Sequence, residues 1–193
     1  MIRQHGQTLQ AYGRVTARAA TIEREYFLGV PGYVIQWTCS DPLRYSAAQE
    51  SLSLSPPTGE GGLHWEEGLH WEDGLNWGSL VYSSASATND GTASTSPMVY
   101  LHGPLSAPYA VVAPDAGWRL GFDLELAEEE TLVVDTRNGT ATLGGKNRLY
   151  TLSPTSDIPE DCLLPPGSTS LQLSTRDFTD AGSAVVAWRH AYT

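Results

Sequence analysis

Between residues 117 and 126 the chain reads GWRLGFDLEL, where Trp118, Leu120, Phe122, Leu124 and Leu126 alternate with polar or small residues. A period of two puts these five side chains on one face of an extended strand and leaves the other face wet. The pattern recurs. Similar runs stand at 97–103 (PMVYLHG), 131–136 (TLVVDT), 141–145 (ATLGG), 168–174 (STSLQLS) and 183–192 (SAVVAWRHAY). Turn-forming residues separate them at a spacing of roughly 8–15 residues, which belongs to an antiparallel sandwich or barrel. Asn138-Gly139 lies between two runs, and both positions of that dipeptide tolerate positive φ. TLVVDT and TATLGG are therefore predicted as the legs of one hairpin. Glu128-Glu129-Glu130 reads as a solvated acidic turn.

Composition closes off the helical alternative. The chain holds 19 Gly and 12 Pro in 193 residues, and charged side chains reach only 17%, so strong helix formers are scarce. An all-β fold is predicted, a two-layer antiparallel sandwich. No apolar run approaches the roughly 20 residues that span a bilayer, and MIRQHGQTLQ has no apolar core of a secretion signal. Cys39 and Cys162 are too few and too far apart for a disulfide framework or a metal knuckle, and they read as small buried hydrophobes in a reducing compartment.

Charge divides the sequence. The net charge is −11, which argues against nucleic acid, because phosphate backbones select clustered cations. Residues 1–45 carry five Arg against Glu23, Glu25 and Asp41, a net of +2, whereas residues 46–193 carry six cations against nineteen carboxylates, a net of −13. Residues 7–19 and 33–39 (YVIQWTC) read as two strands, the second stopped by Asp41-Pro42. Two strands make a marginal unit in water, and unpaired edges recruit other chains. Residues 7–39 are expected to dock on an edge of the sandwich or to be completed by another subunit. Arg3, Arg14, Arg18 and Arg24 are expected to face carboxylates of the same chain or a neighbour. Residues 46–62 (SAAQESLSLSPPTGEGG) read as a linker.

Residues 62–79 contain GLHWEE, GLHWED and GLNWGS, three consecutive six-residue copies. Six is even, so in an extended chain Leu63, Trp65, Leu69, Trp71, Leu75 and Trp77 project to one side, and His64, Glu66, His70, Glu72 and Asn76 to the other. An amphipathic arm is predicted, covering apolar surface on its own sandwich or on a neighbour. These six residues, with Arg14 and Arg18, are the expected interface residues.

Catalytic chemistry is not legible. GxSxG, phosphate-loop, HExxH and dinucleotide patterns are missing from the sequence. His64 and His70 would stand about 20 Å apart on a straight strand, too far for one ion, and Asp157, Glu160 and Asp161 match no calcium-ligand spacing. Asp123, Glu125 and Asp135 lie on strand-like runs where an outward carboxylate is ordinary. The chain reads as a non-enzyme without catalytic, cofactor-binding or metal residues. Trp37, Trp118 and Trp188 are expected in the core rather than against a ligand.

The order of these signals resembles the distal tail proteins of long-tailed bacteriophages, chiefly their C-terminal part. QAYGRVTARA and YVIQWTCSDPLRYS, ending in Asp41-Pro42-Leu43-Arg44-Tyr45, are similar to the junction between the family's ring domain and outer domain. The Leu-x-Trp hexads are similar to short Leu-x-Phe-type repeats that follow it. TNDGTASTSPMVYLHGP resembles an Asn-x-Gly-Thr-x-x-Thr-x-Pro segment followed by Gly-Pro. GWRLGFDLELAEEETLVVDTRNGTATLGG resembles the central hairpin, and LPPGSTSLQLS with AVVAWRHAY the last two strands. The match covers about residues 10–193.

The resemblance implies a structural virion protein at the phage tail tip, assembled in the cytoplasm of the host bacterium. It implies a hexameric ring and, as partners, the tail tube, the tail hub and adhesion proteins. It also implies three regions: 1–45 as terminal strands of a ring or belt-type unit, 46–79 as linker and hexad arm, and 80–193 as an outer sandwich of galectin-like or jelly-roll-like type. A carbohydrate-binding module or host-surface adhesin that recognises a cell-surface glycan is the alternative expectation.

Overall fold

The computed structural model of the chain describes residues 2–4, 7–20, 27–29, 32–60, 79–176 and 181–193. Its strands, in chain order, begin with β1 (Ile2–Gln4), β2 (Gln7–Gln10), β3 (Gly13–Ala20), β4 (Tyr33–Cys39), β5 (Arg44–Ser46) and β6 (Glu50–Leu54). They continue with β7 (Thr58–Glu60), β8 (Ser79–Val81), β9 (Ser84–Asn89), β10 (Met98–His102), β11 (Tyr109–Ala113) and β12 (Trp118–Phe122). The last six are β13 (Thr131–Asp135), β14 (Thr140–Leu143), β15 (Lys146–Asn147), β16 (Gly167–Ser174), β17 (Ser183–Trp188) and β18 (Ala191–Tyr192). Two short 3-10 turns, Leu149–Thr151 and Pro159–Asp161, interrupt them. Among the described residues no helix is long and apolar enough to cross a membrane.

Two antiparallel sheets face each other. One has six strands in the order β15-β14-β13-β10-β17-β6, and the other has four in the order β12-β11-β16-β9. Period-two patterning fills the space between them. Val99 and Leu101 of β10 and Leu132 and Val134 of β13 point inward and are fully buried, against Leu120 and Phe122 of β12. Burying each such side chain is worth about 1.5–3 kcal/mol. The Trp118 indole donates to the Leu163 carbonyl at 2.8 Å, and the Trp188 indole, on β17, donates to the Thr88 carbonyl of β9 at 2.9 Å. The second bond ties the two sheets together along the side where β6 and β9 are both edge strands.

The expected hairpin forms as β13 and β14, with Asp135 opposite Thr140. Asn138-Gly139 lies within a four-residue loop rather than alone between the legs. Gly139 takes φ +61°, and the Asp135 carboxylate accepts from the backbone N–H groups of Arg137 and Asn138 at 3.0 and 3.1 Å.

Elsewhere the structure departs from the sequence reading. The run 117–126 is strand only to Phe122, because the Asp123 N–H donates to the Thr151 carbonyl at 2.8 Å and the chain turns away. The segment 151–157 then covers the outer edge of β12, with bonds between Asp157 and Arg119 and between Ser153 and Gly121. Residues 46–62, read as linker, supply β6, which pairs with β17, and β7. Run 183–192 splits, so that β17 lies in the sandwich while β18 crosses to a separate sheet ordered β1-β2-β5-β18. Through that sheet β2 docks on the C-terminal strand of its own chain, with Leu9 and Tyr45 buried.

Candidate assembly surface

Residues 7–19 form two strands, and only the first docks. β3 pairs with β4 and with no other strand among the described residues. Every residue of β4 is exposed. Residues directly opposite in an antiparallel pair share a face, and Val15 stands opposite Trp37, Arg18 opposite Ile35 and Ala20 opposite Tyr33. One face of the hairpin therefore carries Val15, Tyr33, Ile35 and Trp37, with Trp37 63% and Ile35 52% exposed. An apolar face of this kind on a two-stranded ribbon is unstable in water without a cover.

Two sequence expectations are corrected here. Trp37 is not a core residue, unlike Trp118 and Trp188, which are 5% and 6% exposed. Cys39 is exposed, and only Cys162 is buried. The two expected interface arginines, Arg14 and Arg18, stand on opposite faces of the hairpin. Four residues apart on a regular strand they would share a face, but a bulge between Val15 and Ala17 shifts the register. Arg18 thus joins the apolar face, while Arg14, opposite Thr38, lies on the other. Neither makes an ion pair among the described residues, whereas Arg137 pairs with Asp41. The hexad residues Leu63, Trp65, Leu69, Trp71, Leu75 and Trp77 lie outside the described residues. So does Arg24, as does the side chain of Arg3. Glu60 and Ser79, which bracket the hexads, stand opposite each other in the β7–β8 pair.

The feet of the hairpin meet the sandwich at one polar knot. Asp41 Oδ1 accepts from the Leu43 N–H at 2.9 Å, and Oδ2 accepts from the Tyr45 hydroxyl at 2.7 Å and from the Arg137 guanidinium. That guanidinium also lies over the Tyr12 ring, 4.4 Å from its centre, and 5.1 Å from the centre of Tyr45. Burial opposes ionisation of Asp41, but its hydrogen bonds and the Arg137 charge outweigh it and hold the carboxyl below the ordinary 3.8. Burial, helped by the bond to Asp41, pushes the Tyr45 hydroxyl up to about 12.

A cleft of about 440 Å³ opens beside the knot, lined among others by Tyr12, Tyr45, Gln49, Arg137, Asn138 and Trp188. Its wall mixes aromatic rings with amide and guanidinium donors. Among the described residues no group of three or more His, Cys, Asp or Glu is placed to hold a metal ion.

The architecture has a counterpart among solved structures. SPP1 Dit (gp 19.1), described as a paradigm of the hub adsorption apparatus in phages infecting Gram-positive bacteria, superposes with a TM-score of 0.58. The fold is Dit-like. The superposition covers 95% of this chain at 14% sequence identity. It covers 60% of the Dit chain, so this chain spans less than two thirds of that protein's length. No family model matches the sequence, and no curated protein matches it.

Proposed function

We propose that the chain is a non-enzymatic structural component of a bacteriophage tail tip, working as a distal tail protein that joins the tail tube and hub to the adhesion apparatus. In this reading residues 1–45 are the assembly segment and residues 80–193, joined at one edge by β6, the outer sandwich, and the protein belongs to the virion after assembly in the bacterial cytoplasm. The observation that carries it is the exposed apolar face of β3–β4 on a Dit-like fold. A second copy packed on that face supplies a cover, and a closed ring, of six by the family resemblance, covers every such face alike.

Light scattering on the purified chain tests this. The expected result is a closed oligomer that Trp37→Arg or Ile35→Ser reduces to a monomer while the sandwich keeps its melting temperature. A parent chain that stays monomeric at every accessible concentration overturns it.

A glycan-recognising module is the second reading, supported by the aromatic and amide lining of the cleft at Tyr12, Tyr45, Gln49 and Asn138. Binding on a glycan array that Asn138→Ala abolishes, by a chain that does not oligomerise, favours it over the first.

A further inference from the structure

One side chain touches both feet of the β3–β4 hairpin. Tyr12 directly precedes β3, and Asp41 follows β4 after a single intervening residue. Arg137 comes from the far side, from the loop between β13 and β14 of the six-stranded sheet. Its guanidinium donates to Asp41 and covers the Tyr12 and Tyr45 rings, which meet edge to face with centres 5.8 Å apart. Its mount is stiff. The Arg137 N–H is held by Asp135, whose other oxygen accepts from the Asn138 side-chain amide at 2.6 Å.

The hairpin has little else to aim it. Backbone pairing of Gln10 with Tyr45 fixes where its root lies. Beyond Tyr12 and Ser40, β3 and β4 pair among the described residues only with each other, and none of their described side chains is buried. A two-stranded ribbon anchored by its root alone swings, unless a contact across the root opposes rotation. A planar guanidinium set against two rings and bonded to a carboxylate opposes both twist and tilt, which a point charge cannot do.

We propose that Arg137 is the clamp that sets the direction in which the β3–β4 hairpin leaves the sandwich. A ring closes only if each arm leaves at a fixed angle, so the purpose of the clamp rests on the assembly reading. The clamp itself does not. It acts within one chain and is measurable in a monomer.

The test uses the full chain, diluted until monomeric, carrying Cys39→Ser and spin labels at Ala19→Cys on the hairpin and Glu129→Cys on the exposed β12–β13 loop. The parent is expected to give one narrow distance distribution. Arg137→Gln should broaden it at least twofold. Arg137→Lys, which keeps the charge and loses the plane, should broaden it by an intermediate amount. Asp41→Asn provides the same reading should Arg137→Gln not fold. A parent distribution that is already broad overturns the proposal, as does an unchanged width in the folded Arg137 or Asp41 variants. A narrow parent distribution in a chain that never oligomerises keeps the clamp and removes only the ring.

Discussion

Gly91 lies directly on the backbone of Ala191, so close that a Cβ at position 91 would fall 1.9 Å from the Ala191 carbonyl oxygen and 2.6 Å from its nitrogen. The same carbonyl accepts from the N–H groups of Thr92 and Ala93 at 2.8 and 3.0 Å. Gly91→Ala therefore has no flexible side chain to push aside and must displace β18. Overpacking of this kind costs about 1–3 kcal/mol. Because β18 holds β5 and β5 holds β2, amide exchange should also quicken in both of those strands. A urea midpoint equal to that of the parent would show that the contact relaxes without strain.

Asn89 organises the same corner. It is 1% exposed, and its amide donates to the carbonyls of Ala93 and Leu164 at 2.9 and 3.1 Å. Its oxygen accepts from the Gly91 N–H at 3.0 Å. Asn89→Ala leaves the Ala93 carbonyl and the Gly91 N–H without this partner, each at about 1–3 kcal/mol, while the Leu164 carbonyl keeps the Thr95 N–H at 2.9 Å, and a loss of about 2 kcal/mol or more is expected. Thr88→Ala, one residue away and exposed, loses only a hydroxyl contact to Ser168 and should cost under about 1 kcal/mol. Equal losses in the two variants would refute the role given to Asn89.

These contacts give physical content to a signal that the sequence carries only as a resemblance. In TNDGTASTSPMVYLHGP, Asn89 is the buried hub and Gly91 the close approach, while Gly103 lies against Ala127, where a Cβ would fall 1.9 Å from its carbonyl oxygen. Strands β10, β13, β14, β16 and β17 were legible because apolar side chains alternate along them. Edge strands β6 (ESLSL) and β9 (SASATN) were not, since their inward positions are filled by Leu54, Ala87 and Asn89 among serines, and a backbone ladder needs no apolar side chain. Run 117–126 looked continuous because the carbonyl that ends it belongs to the distant Thr151. Tyr33, Ile35, Trp37 and Cys39 alternate just as the core strands do, and alternation shows that a face needs cover without showing which chain provides it. The bulge that parts Arg14 from Arg18, and the meeting of Arg137 with Asp41, are tertiary facts with no local trace.

The two cysteines should differ sharply in reactivity. Burial, with Asp157, Asp161 and Glu160 nearby, pushes the Cys162 thiol up to about 12, so almost no thiolate exists at neutral pH. Cys39 is exposed. A maleimide titration of the monomeric chain is expected to modify one cysteine in the folded state and both after denaturation. Two fast equivalents in the folded protein would contradict the buried position of Cys162. If β3–β4 is covered by a second copy, Cys39 should become protected in the oligomer.

The knot at the hairpin feet should fail at both ends of the pH scale, for opposite reasons. Asp41 ionises more readily in the fold than in the unfolded chain, where its value is 3.8. Its contribution is therefore complete above that value and is lost as pH falls below it through the lower folded value. Tyr45 behaves in reverse. Its hydroxyl is raised from 10.0 to about 12, so its contribution is complete below 10.0 and disappears as pH climbs toward 12. Between these limits Asp41 and Tyr45 keep one charge state each, and the stability they contribute to the knot should be flat. Asp41→Asn is expected to be less stable than the parent at neutral pH, with the gap closing as pH falls below 3.8. Tyr45→Phe should differ from the parent at neutral pH and converge with it above 10. Urea midpoints of the three proteins across the pH range measure both limbs. A gap between Asp41→Asn and the parent that stays constant down to strongly acid pH would mean that the carboxylate charge contributes nothing to the hold of Arg137 on the hairpin feet.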